Sequence, residues 1–202
     1  NQQIVAGASV VAGDFDNDGH LDLFILGSGE IGLQHNLLLL NDGKGALRVV
    51  KDAGGAPGGG AGVGDCVATA DFDGNGRLGL LVVRGASMGR SLGLPSERGG
   101  YRLYRNVVAN GNHWLEIDLE GTRSNRDGIG AVVRVTANGV TQSRLQDGGQ
   151  HNRCQNYARL HFGLAQATTI DKITVQWPSG TVQQLNGVAA DRVLHIKEAA
   201  TP

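Results

Sequence analysis

Short apolar runs separated by polar turns dominate the chain. From residue 112 onward, apolar and polar positions alternate in segments such as "GAVVRVTANGVTQSRLQ" (130–146) and "DKITVQWPSG" (171–180). A period of two residues between turn residues is typical of β-strands that bury one face. "ANG" (137–139) predicts a hairpin turn, and "PSG" (178–180) predicts another turn. No stretch has convincing helical periodicity, so the pattern predicts an all-β protein that ends in a β-sandwich or barrel.

The first half of the chain contains a repeat. "VVAGDFDNDGHLDLFIL" (10–26) matches "VATADFDGNGRLGLLVV" (67–83), and weaker matches follow at 35–41 and 101–107. Each unit is predicted to run as strand, polar loop, strand, connection and third strand. The two matching stretches are 57 residues apart, and a repeat of about that length built from short strands is typical of propeller-like blades. Since about four blades are the usual minimum for closure, either the chain is a fragment or the units pack against something else.

Composition narrows the function classes. Glycine accounts for 33 of 202 residues, yet 40% of the chain is apolar, which is typical of a folded β-protein with many tight turns. The net charge of −1 argues against a general electrostatic hold on nucleic acid or an acidic membrane surface. No apolar run is long enough to span a membrane. Cys66 and Cys154 are the only cysteines, and the sequence leaves open whether they are reduced or form a disulfide.

The loop inside the first repeat has the spacing of a cation site. Oxygen ligands at loop positions 1, 3, 5, 7 and 9, with glycine at position 6, can wrap a hard divalent cation. Position 6 is Gly19, and the ligands would be Asp14, Asp16, Asp18, the backbone carbonyl of His20, and Asp22. Four carboxylates this close would otherwise repel one another. Because all the donors are hard oxygens, we expect calcium rather than zinc or copper, with magnesium as an alternative.

The second repeat has a weaker version of the same loop. Its donors would be Asp71, Asp73, Asn75 and the backbone carbonyl of Arg77, while Gly79 replaces the closing carboxylate. Fewer charged ligands lower the affinity for a cation and leave coordination positions open. The loop is therefore either a decayed structural site or an open metal site.

These motifs resemble two known families. The stretch at 10–26 resembles the FG-GAP/VCBS repeat, and "SNRDGIGA" (124–131), "RLHFGL" (159–164) and "WPSG" (177–180) resemble the ASPIC/UnbV domain. The resemblance implies two propeller-blade-like, calcium-binding units at 1–110 and an ASPIC/UnbV-like β domain at 111–202. It also implies a secreted or extracytoplasmic protein that acts in binding or adhesion.

Two functions from different classes follow. The first is a calcium-stabilised interaction module for a protein or glycan, with sheet edges that a second copy could cover. The second is a calcium-dependent hydrolase of small phosphoesters, in which the open loop at Asp73 polarises the substrate. For the hydrolase, the charge-stabilising candidates are Arg153 and arginines between 84 and 105, and the acid–base candidates are His20, His35 and His151.

Overall fold

The computed structural model describes residues 7–27, 35–56, 63–85, 100–151 and 154–200. Sixteen strands and no helix occur in this part of the chain, so the predicted all-β class is confirmed. Within the same ranges, no helix is long and apolar enough to cross a membrane.

The first repeat forms a four-stranded antiparallel sheet in which each strand pairs with the next along the chain. Its strands are β1 (Gly7–Gly13), β2 (Asp22–Gly27), β3 (Leu37–Asn41) and β4 (Leu47–Val49). Three strands were predicted, and the short β4 is an addition. All three of its residues are exposed, so it lacks the alternation that identifies a half-buried strand.

The second repeat forms a three-stranded sheet of the same topology. Its strands are β5 (Val63–Ala70), β6 (Gly79–Gly85) and β7 (Gly100–Tyr104). The two sheets share one hydrophobic core, which includes Phe24 and Leu26 of the first and Val67 and Val82 of the second. Strands β1 and β5 lie against each other, as the inner strands of neighbouring blades do.

The C-terminal part contains two larger sheets and one short hairpin. Its strands are β8 (His113–Glu120), β9 (Val132–Ala137), β10 (Val140–Leu145), β11 (Gln150–His151), β12 (Cys154–Gln155), β13 (Leu160–Ala165), β14 (Thr169–Gln176), β15 (Val182–Ala189) and β16 (Arg192–Lys197). One sheet has the order β10-β9-β14-β15 and the other β13-β8-β16, with β16 parallel to β8. The two sheets pack around a core that includes Ile117, Phe162, Val135 and Ile173. Because the strand orders of the described residues close no barrel, this part is a sandwich.

The two predicted turns are present. Asn138 and Gly139 have φ angles of 48° and 76°, which is the left-handed backbone that a two-residue hairpin between β9 and β10 requires. In the second turn, the Gly180 N–H donates to the Trp177 carbonyl at 3.0 Å. Trp177 follows the end of β14 and is buried in the sandwich core.

Cys66 and Cys154 form a disulfide with a Cα–Cα distance of 5.8 Å. The bond joins β5 of the second blade to the β11–β12 hairpin, so the alternative of two reduced cysteines is wrong. A second link lies beside it, because the Thr69 N–H donates to the Asn156 side chain at 3.0 Å. The second blade and the C-terminal part are therefore attached to each other directly.

Candidate metal centre

The first acidic loop, residues 14–22, joins β1 to β2 and is wound around the carboxylate of Asp14. The two oxygens of Asp14 accept the Asp18 N–H at 3.0 Å and the Gly19 N–H at 2.8 Å. Gly19 has a φ angle of 96°, which agrees with the sharp turn expected at position 6. These hydrogen bonds curl residues 14–19 into a ring in which the side chains of Asp14, Asp16 and Asp18 lie close together.

Three aspartates meet in this ring. Oxygens of Asp14, Asp16 and Asp18 all lie within 4.8 Å of one another. Asp14 is 1% exposed, and the other two are half-buried. Hard oxygen donors grouped at this distance suit a calcium ion, so the residues present fit the predicted cation.

Burial and mutual repulsion raise the pKa values in the ring. Burial is the main cause that raises the pKa of Asp14 to about 7, and the charges of Asp18, Asp22 and Asp16 add to it. The pKa of Asp16 is also raised, chiefly by burial and then by Asp18. A carboxylate whose charged form is disfavoured gains most from a bound cation, which neutralises the repulsion.

Asp22 is buried and anchors the loop to its own sheet. One oxygen accepts the Phe15 N–H and the other accepts the Asn41 N–H, both at 2.9 Å. Burial raises its pKa to about 6 despite these two hydrogen bonds. Asp22 is not part of the close group of three carboxylates. The backbone of His20 continues the ring by donating to Asp18 at 2.8 Å.

The second acidic loop, residues 71–79, has the same backbone frame. Asp71 accepts the Asn75 N–H at 3.1 Å and the Gly76 N–H at 2.7 Å, as Asp14 accepts its two partners. The Asn75 side chain in turn accepts the Arg77 N–H at 2.9 Å. The loop conformation is therefore retained although the carboxylate count is lower.

Asp73 is paired with an arginine. Its Oδ2 accepts Nε of Arg105 at 2.5 Å and the Asn75 amide at 3.1 Å. The hydrogen bond from Arg105 holds the pKa of Asp73 below its usual value. A guanidinium thus supplies positive charge where the first loop has only carboxylates.

The position of the closing carboxylate is physically filled in the second loop. A Cβ at Gly79 would lie 2.4 Å from the Phe72 ring and 2.8 Å from the Tyr104 carbonyl. A larger side chain at this position would displace one of them. No residue of this loop belongs to a metal-suited group of described acidic, histidine or cysteine side chains.

Of the other catalytic candidates, Arg105 lies at this loop through its pair with Asp73. Arg153 and the side chain of His151 lie outside the described residues, and His35 is exposed. The His20 ring lies against Gly43, where a Cβ would meet it at 2.2 Å. Asp73 and its partner Arg105 are therefore the candidates that the described residues bring together at the second loop.

The acidic loops face a polar surface of the C-terminal sandwich that sequence reasoning missed. A cleft of about 170 Å³ lies between the acidic loops and this surface. Its lining includes the charged or titratable residues Asp14, Asp71, Glu116, Arg144, Arg159 and His161. On β8, Leu115 and Ile117 lie in the sandwich core, so Glu116 and Asp118 point to the opposite face of the strand. The alternation of apolar and polar residues is visible in "HWLEIDLEG" (113–121). The sequence does not show that the acidic loops would cover the polar face of this strand.

An ion-pair network contributes Glu116 and Arg159 to the lining of this cleft. Arg159 donates to Glu116 at 3.0 Å and to both oxygens of Asp118 at 3.0 and 2.9 Å. Burial raises the pKa of Glu116 to about 7 despite the hydrogen bond from Arg159. Removing the guanidinium partner of a buried carboxylate is strongly destabilising, because it leaves an unpaired charge in the protein interior.

His161, opposite Glu116 in the strand pairing, connects the sandwich to the second acidic loop. Its Nε2 donates to the Gly76 carbonyl at 3.1 Å, and burial lowers its pKa to about 4, which keeps the ring neutral. Trp114 packs on the same glycine, where a Cβ would lie 2.0 Å from the indole. The second acidic loop is therefore part of the contact between the blades and the sandwich.

Comparison with known proteins confirms both resemblances. Residues 14–82 match the family model described as FG-GAP-like repeat, and residues 121–202 match the family model described as ASPIC and UnbV. The chain is 27% identical over 199 residues to cartilage acidic protein 1 of Mus musculus and to that of Homo sapiens, covering 96% of this chain each time. It covers 29% of the mouse protein and 28% of the human one, so it spans less than a third of the relatives it matches.

Proposed function

We propose that this chain is part of an extracellular interaction module in which the first acidic loop holds one calcium ion. The observation that carries the proposal is the group formed by Asp14, Asp16 and Asp18, whose oxygens lie within 4.8 Å of one another. The FG-GAP-like repeat over residues 14–82 supports it independently.

The ion would be held by the three grouped carboxylates, with the His20 carbonyl and Asp22 as further ligands. Calcium takes six to eight oxygen ligands and accepts irregular geometry, which suits a loop that mixes side-chain and backbone oxygens. When bound, it supplies the positive charge that the buried Asp14 lacks. Because the loop joins β1 to β2, neutralising it stabilises the first blade, so metal binding and folding are coupled.

We propose that the second acidic loop is held by the protein itself rather than by an ion. Arg105 pairs with Asp73, and Phe72 fills the space beside Gly79. This favours the decayed structural site among the two alternatives for Asp71, Asp73, Asn75 and the Arg77 carbonyl. It also weighs against an open metal site for phosphoester hydrolysis, since the carboxylate that would hold the metal already has a cationic partner.

The partner would be a protein or a glycan. FG-GAP repeats generally take part in protein interactions, and the outer strand β7 presents Tyr101 and Leu103, which are 80% and 57% exposed. A disulfide is typical of proteins from oxidising compartments, and the similarity to cartilage acidic protein 1 also favours secretion. We propose the division into blade units at 1–110 and the ASPIC/UnbV-like domain at 111–202.

Calcium titration of the purified protein tests the proposal. Isothermal titration calorimetry should detect one ion per chain, and Asp18→Ala should abolish or strongly weaken binding. Asp42→Ala is the matched control, because Asp42 also accepts backbone N–H groups in a loop but lies outside the ring. Absence of calcium binding by the wild-type protein would refute the proposal.

The same samples separate the two function classes. Hydrolysis of a phosphoester that stops with EDTA, returns with calcium and is lost in Asp73→Ala would establish the hydrolase instead. Calcium binding without turnover would leave the interaction module as the function to pursue with candidate partners.

A further inference from the structure

We propose that the C-terminal sandwich fixes the shape of the cation site, with Gly163 and Asn112 as positioning residues for the first acidic loop. Calcium binding and docking of the sandwich onto the blades would then be one coupled event. This inference rests on the proposed calcium function and extends it to residues far outside the loop.

Gly163 on β13 is the closest point of contact. A Cβ at this position would lie 2.0 Å from Oδ2 of Asp14 and 2.5 Å from Cα of Asn17. Both distances are far below ordinary van der Waals contact, so the backbone of β13 lies directly on the carboxylate. Glycine is required here by the close approach, not by an unusual backbone conformation.

Hydrogen bonds from outside the loop also fix its backbone. The Asn17 carbonyl accepts the Ala165 N–H of β13 at 2.8 Å. The Asp16 carbonyl accepts the amide of Asn112 at 2.9 Å and that of Asn110 at 2.5 Å. The backbone carbonyls of Asp16 and Asn17 are thus held by the sandwich and by the segment that leads into it.

Asn17 connects all three parts of the molecule. Its side-chain amide donates at 2.9 Å to the Gly76 carbonyl of the second acidic loop, which also accepts Nε2 of His161. Asn17 is buried and has a φ angle of 58°, so its backbone is held in the left-handed region inside this contact. The first acidic loop cannot change shape around an ion without moving β13 or the second loop.

Reciprocal coupling follows from this arrangement. If docking of the sandwich raises the affinity of the loop for calcium by some factor, calcium must strengthen docking by the same factor. The second acidic loop then has a role that needs no ion: its Gly76 carbonyl is the common acceptor that joins the blades to the sandwich.

The first test measures calcium affinity in variants outside the loop. Gly163→Ala should weaken calcium binding by more than about tenfold, and Asn112→Ala by roughly two- to tenfold, the range of one net hydrogen bond. Gly100→Ala is the control, because a Cβ at Gly100 meets nothing within 4 Å and Gly100 has no left-handed backbone. Wild-type affinity in both Gly163→Ala and Asn112→Ala would overturn the inference while leaving the proposed function intact.

The second test uses the wild-type protein, so it does not depend on the folding of a variant. Hydrogen exchange is followed with EDTA and with calcium. Calcium should slow exchange of the Ala165 amide, which is bonded to the Asn17 carbonyl, together with the amides of residues 14–22. Protection confined to residues 14–22 would overturn the coupling. A wild-type protein that binds no calcium would instead refute the proposed function on which it rests.

Discussion

Replacing Asp14 by asparagine should stabilise the ion-free protein and destroy its response to calcium. Burial raises the pKa of Asp14 from 3.8 to about 7. The charged carboxylate therefore opposes folding at pH values above 7, and this opposition is lost as the pH falls from 7 towards 3.8. A shift of about three pKa units corresponds to roughly 4 kcal/mol.

The substitution also has a cost. Asp14 accepts two backbone N–H groups, one at each oxygen, whereas asparagine can accept only at one. Leaving one buried N–H without its acceptor costs about 1 to 3 kcal/mol. The electrostatic gain is the larger effect, so Asp14→Asn should be more stable than the wild type by about 1 to 3 kcal/mol at pH 8 in EDTA.

Calcium should erase or reverse this difference. An ion present at a hundred times its dissociation constant stabilises the wild type by about 2.7 kcal/mol, and a variant that has lost a ligand gains little. Urea unfolding at pH 8, with EDTA and with calcium, measures both values for both proteins. Asp42 is an exposed loop carboxylate whose backbone hydrogen bonds lower its pKa. Asp42→Asn should keep the wild-type response to calcium, so its stability difference from the wild type should be the same in EDTA and in calcium.

If Asp14→Asn is less stable than the wild type in EDTA at pH 8, the buried charge does not oppose folding. A second check is the pH dependence in EDTA. The wild type should gain stability between pH 8 and pH 5, and part of that gain should be missing in Asp14→Asn.

Three further perturbations address the disulfide, the ion pair in the cleft and the buried carboxylate of Glu198. Cys66→Ser should lower the free energy of unfolding by up to about 4.6 kcal/mol, which is the chain-entropy value for a disulfide between residues 88 apart. Reducing the disulfide of the wild-type protein should lower the free energy of unfolding by the same amount. Arg159→Ala should cost about 3 to 5 kcal/mol at pH 8 because it strands the buried Glu116, whereas Glu116→Gln in the same background should recover part of the loss. Burial raises the pKa of Glu198, but the hydrogen bonds from Ser124 and its neighbours outweigh burial and lower the pKa to about 2. The ionised Glu198 therefore stabilises the fold above pH 4.5, and this stabilisation is lost as the pH falls towards 2. Acid unfolding of Glu198→Gln should be less steep than that of the wild type over this interval, and equal slopes would contradict the assignment.

Local patterns were sufficient to predict several elements. The alternation between residues 130 and 146 predicts a hairpin, and β9 and β10 form it around Asn138 and Gly139. The spacing of Asp14, Asp16 and Asp18 predicts a close group of carboxylates, which the structure contains. These features depend on the backbone geometry of a few consecutive residues, so the amino-acid types and their spacing are enough to specify them.

Other features depend on contacts between distant parts of the chain. The pairing of Arg105 with Asp73 arises because β7 lies beside β6, and the weaker repeat match at 101–107 gave no sign that an arginine would reach the loop. The approach of Gly163 to Asp14 brings a strand of the sandwich against the loop between β1 and β2, and a glycine in a strand has no sequence signature for such packing. The amino-acid sequence alone was therefore enough to predict the β class, the two turns and the close group of Asp14, Asp16 and Asp18, although it missed the short strand β4. The pairing of Asp73 with Arg105 and the packing that holds the first acidic loop could be seen only in the folded protein, because charge pairing and close packing depend on distances through space rather than along the chain.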